Sequence, residues 1–177
     1  MNLNVTVNTQ SSIRIAGKDT VIRFDPYLIA GEPHDTDIIF LTHDHYDHFS
    51  PDDIRKVIKP DTVIAAPKHM GKQLAALKPA DVVLLAPGET AEIGTVLIET
   101  VAAYNTLKPF HPKSSGNLGY VITLDGQRIY AAALVNMIRP KTAIPIHYGS
   151  IVGKPSDGEA FRKLVAEGIE TKLLLAE

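Results

Sequence analysis

Residues 41–48 read LTHDHYDH, which places His43, His45 and His48 together with Asp44 and Asp47 in six consecutive positions of a 177-residue chain that holds seven histidines in all. Imidazole nitrogens and carboxylate oxygens are ligands for zinc and related divalent ions. In an extended chain alternate residues lie on the same side, so His43 and His45 can face one point. A turn after Tyr46 then carries Asp47 and His48 round that point or a second one close by. A polar surface loop with incidental histidines explains a lone histidine well. It explains H-x-H-x-D-H directly after an apolar strand poorly.

The elements that must hold this cluster can be read outward from it. DIIFLTH (37–43) is a continuous apolar strand of the fully buried kind, so its exit gives ligands rigid support and an open mouth. SPDDIRKVI (50–58) follows as a helix, with Ser50 as N-cap, Pro51 at the first helical position and acids in the first turn. Upstream, SSIRIAG and TVIRFDPY are strands joined by a GKD turn. Downstream come a strand in DTVIAAP (61–67), a helix in KHMGKQLAALK (68–78) and two or three strands in residues 81–104. GYVITLDGQRIYAA is a hairpin turning at Asp125-Gly126. KTAIPIHYG (141–149) is a strand ending on His147, SDGEAFRKLVAEG (156–168) a capped amphipathic helix, and TKLLLAE a last strand. Strands, then βα units, then strands, then βα units predict two stacked sheets with helices outside, a four-layer αββα sandwich of the α/β class in one domain, 1–177.

Composition narrows the function. A formal net charge of −2 and a pI near 6.4 argue against nucleic acid as a partner. The chain has no cysteine, so any metal site uses His, Asp or Glu. MNLNVTVNTQ lacks a signal-peptide layout and no apolar run is long enough for a bilayer, so the expectation is a cytoplasmic protein with no membrane contact. Homo-oligomerisation stays open. No Ser-His pair sits at a nucleophile elbow, which leaves a covalent mechanism little support. A redox di-iron site calls for more carboxylate than is evident.

Thr42 with His43 through His48 resembles the metal-binding motif of the metallo-β-lactamase-fold hydrolases. FDPY with Asp25, AYN…FHPK at 103–113, the GYVI…DGQRIY hairpin and IPIHYG extend the resemblance over nearly the whole chain, toward the small branch similar to L-ascorbate-6-phosphate lactonase. The resemblance implies a small-molecule substrate and one or two ions, zinc first with manganese or iron open, which activate water for hydrolysis. It implies His43 and His45 on a first metal. Asp47 and His48 would sit on a second, with Asp47 also orienting the catalytic water and His147 completing that ion's shell. Related hydrolases place a histidine near Asn105; asparagine is a poor zinc ligand, so His111 is favoured as the third ligand of the first metal, against a surface or substrate-contacting role. Asp25 is either a partner behind a ligand histidine or a turn former before Pro26. Lys108, Lys113, Ser114 and Ser115 flank His111 and read as solvated loop or as an anion contact. His34 and His69 read as solvent-facing.

One junction departs from the family. Relatives carry an aspartate that bridges the metals in a turn after the strand matching RIYAA (128–132). Here that strand meets ALVNMIRP (133–140), which looks helical, with no turn former or cap between. Either the chain lacks the segment and has a weakened site, or the written sequence closes over residues the protein contains near 131–134. The difficulty of deleting a core strand from a packed sandwich favours the second.

Overall fold

The computed structural model describes residues 3–104, 111–131, 142–146 and 154–174. The first sheet runs in chain order: β1 (Asn4–Thr9), β2 (Ser12–Ala16), β3 (Val21–Phe24), β4 (Thr36–Phe40), β5 (Ile58–Pro67) and β6 (Asp81–Leu85). β1 to β3 pair antiparallel, and β3 to β6 pair parallel. The crossovers between the parallel strands carry α1 (Pro51–Val57) and α2 (Gly71–Ala75). The second sheet contains β7 (Thr90–Ile93), β8 (Val96–Ala102), β9 (Leu118–Leu124) and β10 (Gln127–Ala131) in the order β10-β9-β8-β7. All its pairings are antiparallel. Among the remaining described residues, β11 (Thr142–Ala143) pairs parallel with β12 (Glu170–Thr171), and α3 spans Ser156–Leu164.

β4 explains the layering. Its side chains alternate between two apolar cores. Ile38 and Phe40 face the second sheet, in a cluster with Ile22, Phe24, Ile98, Leu118, Tyr120 and Ile122. Ile39 and Leu41 face the helices, packed with Ile54, Val57, Met70 and Leu74. A parallel strand buried on both faces has no solvent side for a polar residue, hence the unbroken apolar run. The Phe40 ring stacks 5.0 Å from Phe24 and lies 5.0 Å from Tyr120. The Tyr120 hydroxyl, buried between the sheets, donates to the Leu41 carbonyl at 2.8 Å. Burial and the nearby Asp25 charge push its pKa well above the ordinary phenol value.

Several local readings hold and several need correction. Ser50 caps α1, with its hydroxyl accepting from Asp53 N, and Pro51 opens the helix. Asp125 and Gly126 both take positive φ, +50° and +73°, as a two-residue hairpin turn of this twist requires. The helix expected over 68–78 is a 3-10 turn (Lys68–Met70) followed by the short α2; Lys78 then adopts φ +50° ahead of Pro79, and a proline cannot continue the helix. Ser156 lies inside α3 rather than capping it, and no side chain caps that helix. β1 was not anticipated. The strand read over 141–149 is shorter than expected, since β11 covers Thr142–Ala143 and Ile144 to Ile146 lie outside it; His147 and the helix read over 133–140 fall outside the described residues.

The topology gathers one set of chain ends at one edge of the sandwich. β3, β4 and β5 run parallel, so the residues that follow them, including Asp25 and the His43–His48 motif, emerge together. The β1–β2 turn lies at the same edge by the antiparallel register of β2 with β3. Ala102 at the end of β8 pairs with Leu118 at the start of β9, and Ala131 at the end of β10 pairs with Tyr120. Leu118 N donates to Thr42 O at 3.0 Å and joins the two sheets at this edge. No helix among the described residues is long and apolar enough to cross a membrane.

Asp53 pins the loop beyond β3 to α1. Its carboxylate accepts from Leu28 N and Ile29 N, each at 3.0 Å, and from Ser50 Oγ and Lys56 Nζ. Burial alone would raise its pKa, but these donors outweigh burial and lower it. Asp53→Ala strands two backbone donors and is expected to cost about 2–4 kcal/mol in chemical denaturation. A lowered folded pKa means that this increment is present above the unfolded carboxylate value of about 3.9 and is lost as pH falls through the folded value. The wild type should therefore lose stability faster than Asp53→Ala on acidification below about pH 4.

Candidate metal centre

The motif leaves β4 at Phe40 and passes Thr42 to Asp44 without strand pairing before turning back at His45. His48 N and Phe49 N both donate to His45 O, at 2.9 and 2.7 Å, which is the turn expected after Tyr46. This turn folds the side chains of positions 43, 45 and 48 onto one another. The His43 ring centre lies 4.6 Å from His45 and 3.9 Å from His48. His111, from the loop between β8 and β9, joins them with its ring 4.7 Å from both His43 and His45. His43, His45 and His111 each offer one nitrogen, and these three atoms lie within 4.8 Å of one another. His43 is buried, His111 is half-buried and His45 is exposed, so the cluster opens to solvent on the His45 side.

Asp25 organises this group from behind. It sits directly after β3 with φ +42° and is almost wholly buried. Its Oδ1 accepts from Thr42 N at 2.8 Å, and its Oδ2 accepts from Thr42 Oγ1 at 2.7 Å and from His48 Nδ1 at 2.7 Å. Because the Thr42 hydroxyl spends its proton on Asp25, it is an acceptor toward His43 Nδ1, 2.9 Å away. One carboxylate therefore holds two histidines, His48 directly and His43 through a hydroxyl. Both present Nδ1–H to the protein, which leaves Nε2 as the ligating nitrogen. Burial disfavours the charged His48 ring, but the Asp25 hydrogen bond and the charges of Asp25 and Asp47 prevail and raise its pKa.

Asp47 is buried beside His48, with Oδ2 3.7 Å from His48 Nε2. Ser11, at the tip of the β1–β2 turn, brings its hydroxyl within 3.2 Å of His48 Nδ1. Asn117 stands at the start of β9 with its side-chain Nδ2 3.0 Å from His111 Nδ1. The sequence reading missed Ser11 and Asn117 because nothing local marks either; only the meeting of loops does. His34 is exposed on its loop, as expected. His69 is exposed too, yet its Nε2 lies 3.9 Å from Asp44 Oδ1, and a side chain at Gly116 would meet its Nδ1 at 3.9 Å. It thus stands at the rim of the cluster. Lys113 places its ammonium 5.7 Å from the Tyr104 ring centre, beside His111. His147, Asn105, Lys108 and the junction from Ala132 onward lie outside the described residues.

The donor set fits a divalent ion of the zinc type. It offers imidazole nitrogens, two of them with Nδ1 turned to a protein oxygen, carboxylate close by, and no thiolate. A surface loop with incidental histidines would not bury a carboxylate behind two of them.

Comparison with known proteins agrees with this geometry. The chain aligns with the UPF0173 metal-dependent hydrolase of Thermococcus onnurineus at 23% identity, over 93% of this chain and 92% of the relative. That alignment runs over 209 residues against the 177 of this chain, so the relative carries segments with no counterpart here. Among solved structures, a Parabacteroides distasonis protein provisionally designated a metal-dependent hydrolase superposes with a TM-score of 0.79 at 27% identity, covering 99% of this chain and 94% of that one. Igni18, a metallo hydrolase from Ignicoccus hospitalis, shares the fold with a TM-score of 0.74 at 14% identity, over 98% and 95% of the two chains. The two-sheet architecture is accordingly the metallo-β-lactamase α/β sandwich expected from the motif order. A family model described as the beta-lactamase superfamily domain matches residues 4–133, most of the chain, and the protein belongs to that family.

Proposed function

We propose that this protein is a metal-dependent hydrolase acting on a small ester, lactone or phosphoester. The observation that carries this reading is the convergence of His43, His45 and His111 at the open edge of the sandwich. Relatives along most of the chain bear the name metal-dependent hydrolase. The resemblance to the L-ascorbate-6-phosphate lactonase branch favours a lactone or phosphorylated metabolite, and a single domain over 1–177 in the cytoplasm goes with it. His43, His45 and His111 would hold a first ion, zinc by donor chemistry, and Asp47, His48 and His147 a second. A divalent ion held there would supply Lewis acidity and a bound water acidified toward neutrality. The chain does the rest: Asp47 accepts a hydrogen bond from the attacking water and sets its direction. Asp25 and Thr42 keep the Nδ1 protons of His48 and His43 away from the site.

A second reading is a metal-binding relative with weak or no turnover. The longer alignment of the relative favours it. β10 ends at the site edge, which is where a bridging aspartate would enter if the chain continued as its relatives do.

Metal analysis and turnover separate the two readings. The hydrolase should bind about two equivalents of zinc per chain and turn over a generic ester or phosphodiester, with His45→Ala abolishing turnover and His111→Ala weakening zinc by at least about tenfold. One equivalent or none, with no turnover over a broad panel, would favour the second reading. Asp25→Asn should weaken zinc by about 10–100-fold, and Thr42→Val should do so to a smaller extent. Competition with a chromophoric chelator measures both; wild-type affinity in Asp25→Asn would mean that the carboxylate does not orient the ligands.

A further inference from the structure

Asn117 and His111 differ in how firmly they are held. Asn117 sits where β9 begins, with 7% of its surface exposed. Its carbonyl accepts from Ala103 N at 3.0 Å, and the next residue, Leu118, donates to Thr42 O. The residue is thus tied to β8 on one side and to the histidine motif on the other. His111 lies in the connecting loop at φ +58°, a conformation that costs a non-glycine residue energy. An imidazole in such a loop takes its orientation from what it touches, and its Nδ1 lies 3.0 Å from Nδ2 of the Asn117 amide.

An amide has two chemically opposite ends that a half turn about χ2 exchanges with little change of shape. With Nδ2 toward the ring, Nδ1 must carry the lone pair, the proton moves to Nε2, and that nitrogen no longer ligates. With Oδ1 toward the ring, Nδ1 carries the proton and Nε2 keeps its lone pair. His43 and His48 already follow the second pattern, each presenting Nδ1–H to an oxygen. Asn117 holds for His111 the place that the buried Asp25 carboxylate holds for His48 and the Thr42 hydroxyl for His43.

We propose that Asn117 is the positioning residue of His111: its Oδ1 accepts the Nδ1 proton and so fixes the tautomer whose Nε2 faces the point shared with His43 and His45. The assignment rests on the reading of His111 as a metal ligand. It follows that the amide, whose Nδ2 faces the ring in the structure, turns by half a turn about χ2 to bring its oxygen to the ring when His111 ligates, and that a carboxylate can replace it whereas an apolar side chain cannot.

The test is zinc affinity, by chelator competition, across wild type, Asn117→Ala, Asn117→Leu, Asn117→Asp and His111→Ala, with thermal melting of each metal-free protein as a folding control. Asn117→Ala and Asn117→Leu should weaken zinc by about 10–100-fold, while Asn117→Asp stays within about threefold of wild type or binds more tightly. Unchanged or tighter binding by Asn117→Ala overturns the proposal. So does a loss in Asn117→Asp as large as in Asn117→Ala, since that pattern means packing alone. If the alanine and leucine variants do not fold, ¹⁵N spectra of wild-type histidines decide: His111 must be protonated at Nδ1 when zinc is bound, and protonation at Nε2 refutes the assignment. Wild-type affinity in His111→Ala would instead remove the ligand on which the proposal rests, a failure separable from one confined to Asn117.

Discussion

The buried carboxylate of Asp25 is the constraint on which the rest of the edge depends. A charge this deep is tolerated only with its lone pairs occupied, and it takes three donors from two residues of the motif: Thr42 N, Thr42 Oγ1 and His48 Nδ1. Those bonds settle the exit of β4, the tautomer of His48 and, through the Thr42 hydroxyl, the tautomer of His43. The carboxylate is itself fixed by its backbone, because Asp25 N donates to Phe40 O and continues the β3–β4 ladder by one step. Sheet geometry and ligand geometry are therefore one hydrogen-bonded unit.

The second sheet reinforces that unit from the other side. Tyr120 packs its ring against the stacked Phe24 and Phe40 and donates its hydroxyl to the Leu41 carbonyl, one residue before Thr42. Leu118 donates to the Thr42 carbonyl. The residues just before the histidines thus have backbone partners from both sheets, and dense apolar packing below them leaves little room for the exit to shift. The opposite side of the cluster, at His45, is open. A rigid floor and a wet mouth are what a site needs when its ligands must be oriented before a substrate arrives.

Much of this arrangement was legible locally. The apolar run of β4, the cap and proline of α1, and the Asp125-Gly126 turn follow from rules that act within a few residues, and the structure keeps them. The readings that failed were also local but weaker: the 68–78 helix, where Gly71, Lys78 and Pro79 work against helix length, and the cap at Ser156. The roles of Asp25 and Asn117 could not be read in the same way. Asp25 offered two explanations, and only its distance to His48 chooses between them. Asn117 offered none, since an asparagine before a strand is ordinary in any loop.

The sequence by itself determined that a cluster of imidazoles and carboxylates would stand at the exit of a buried strand, because composition and a period of two suffice for that. It also determined the class of fold, through the order of strands and βα units. The tertiary structure decided which distant residues join the cluster. It brought His111 to His43 and His45 across more than sixty positions, placed Asp25 behind His48, and set Asn117 against His111. The physical reason is that ligand geometry depends on side-chain direction and on which nitrogen carries the proton. Both are fixed by hydrogen bonds between chain segments that meet only when the two sheets close on each other.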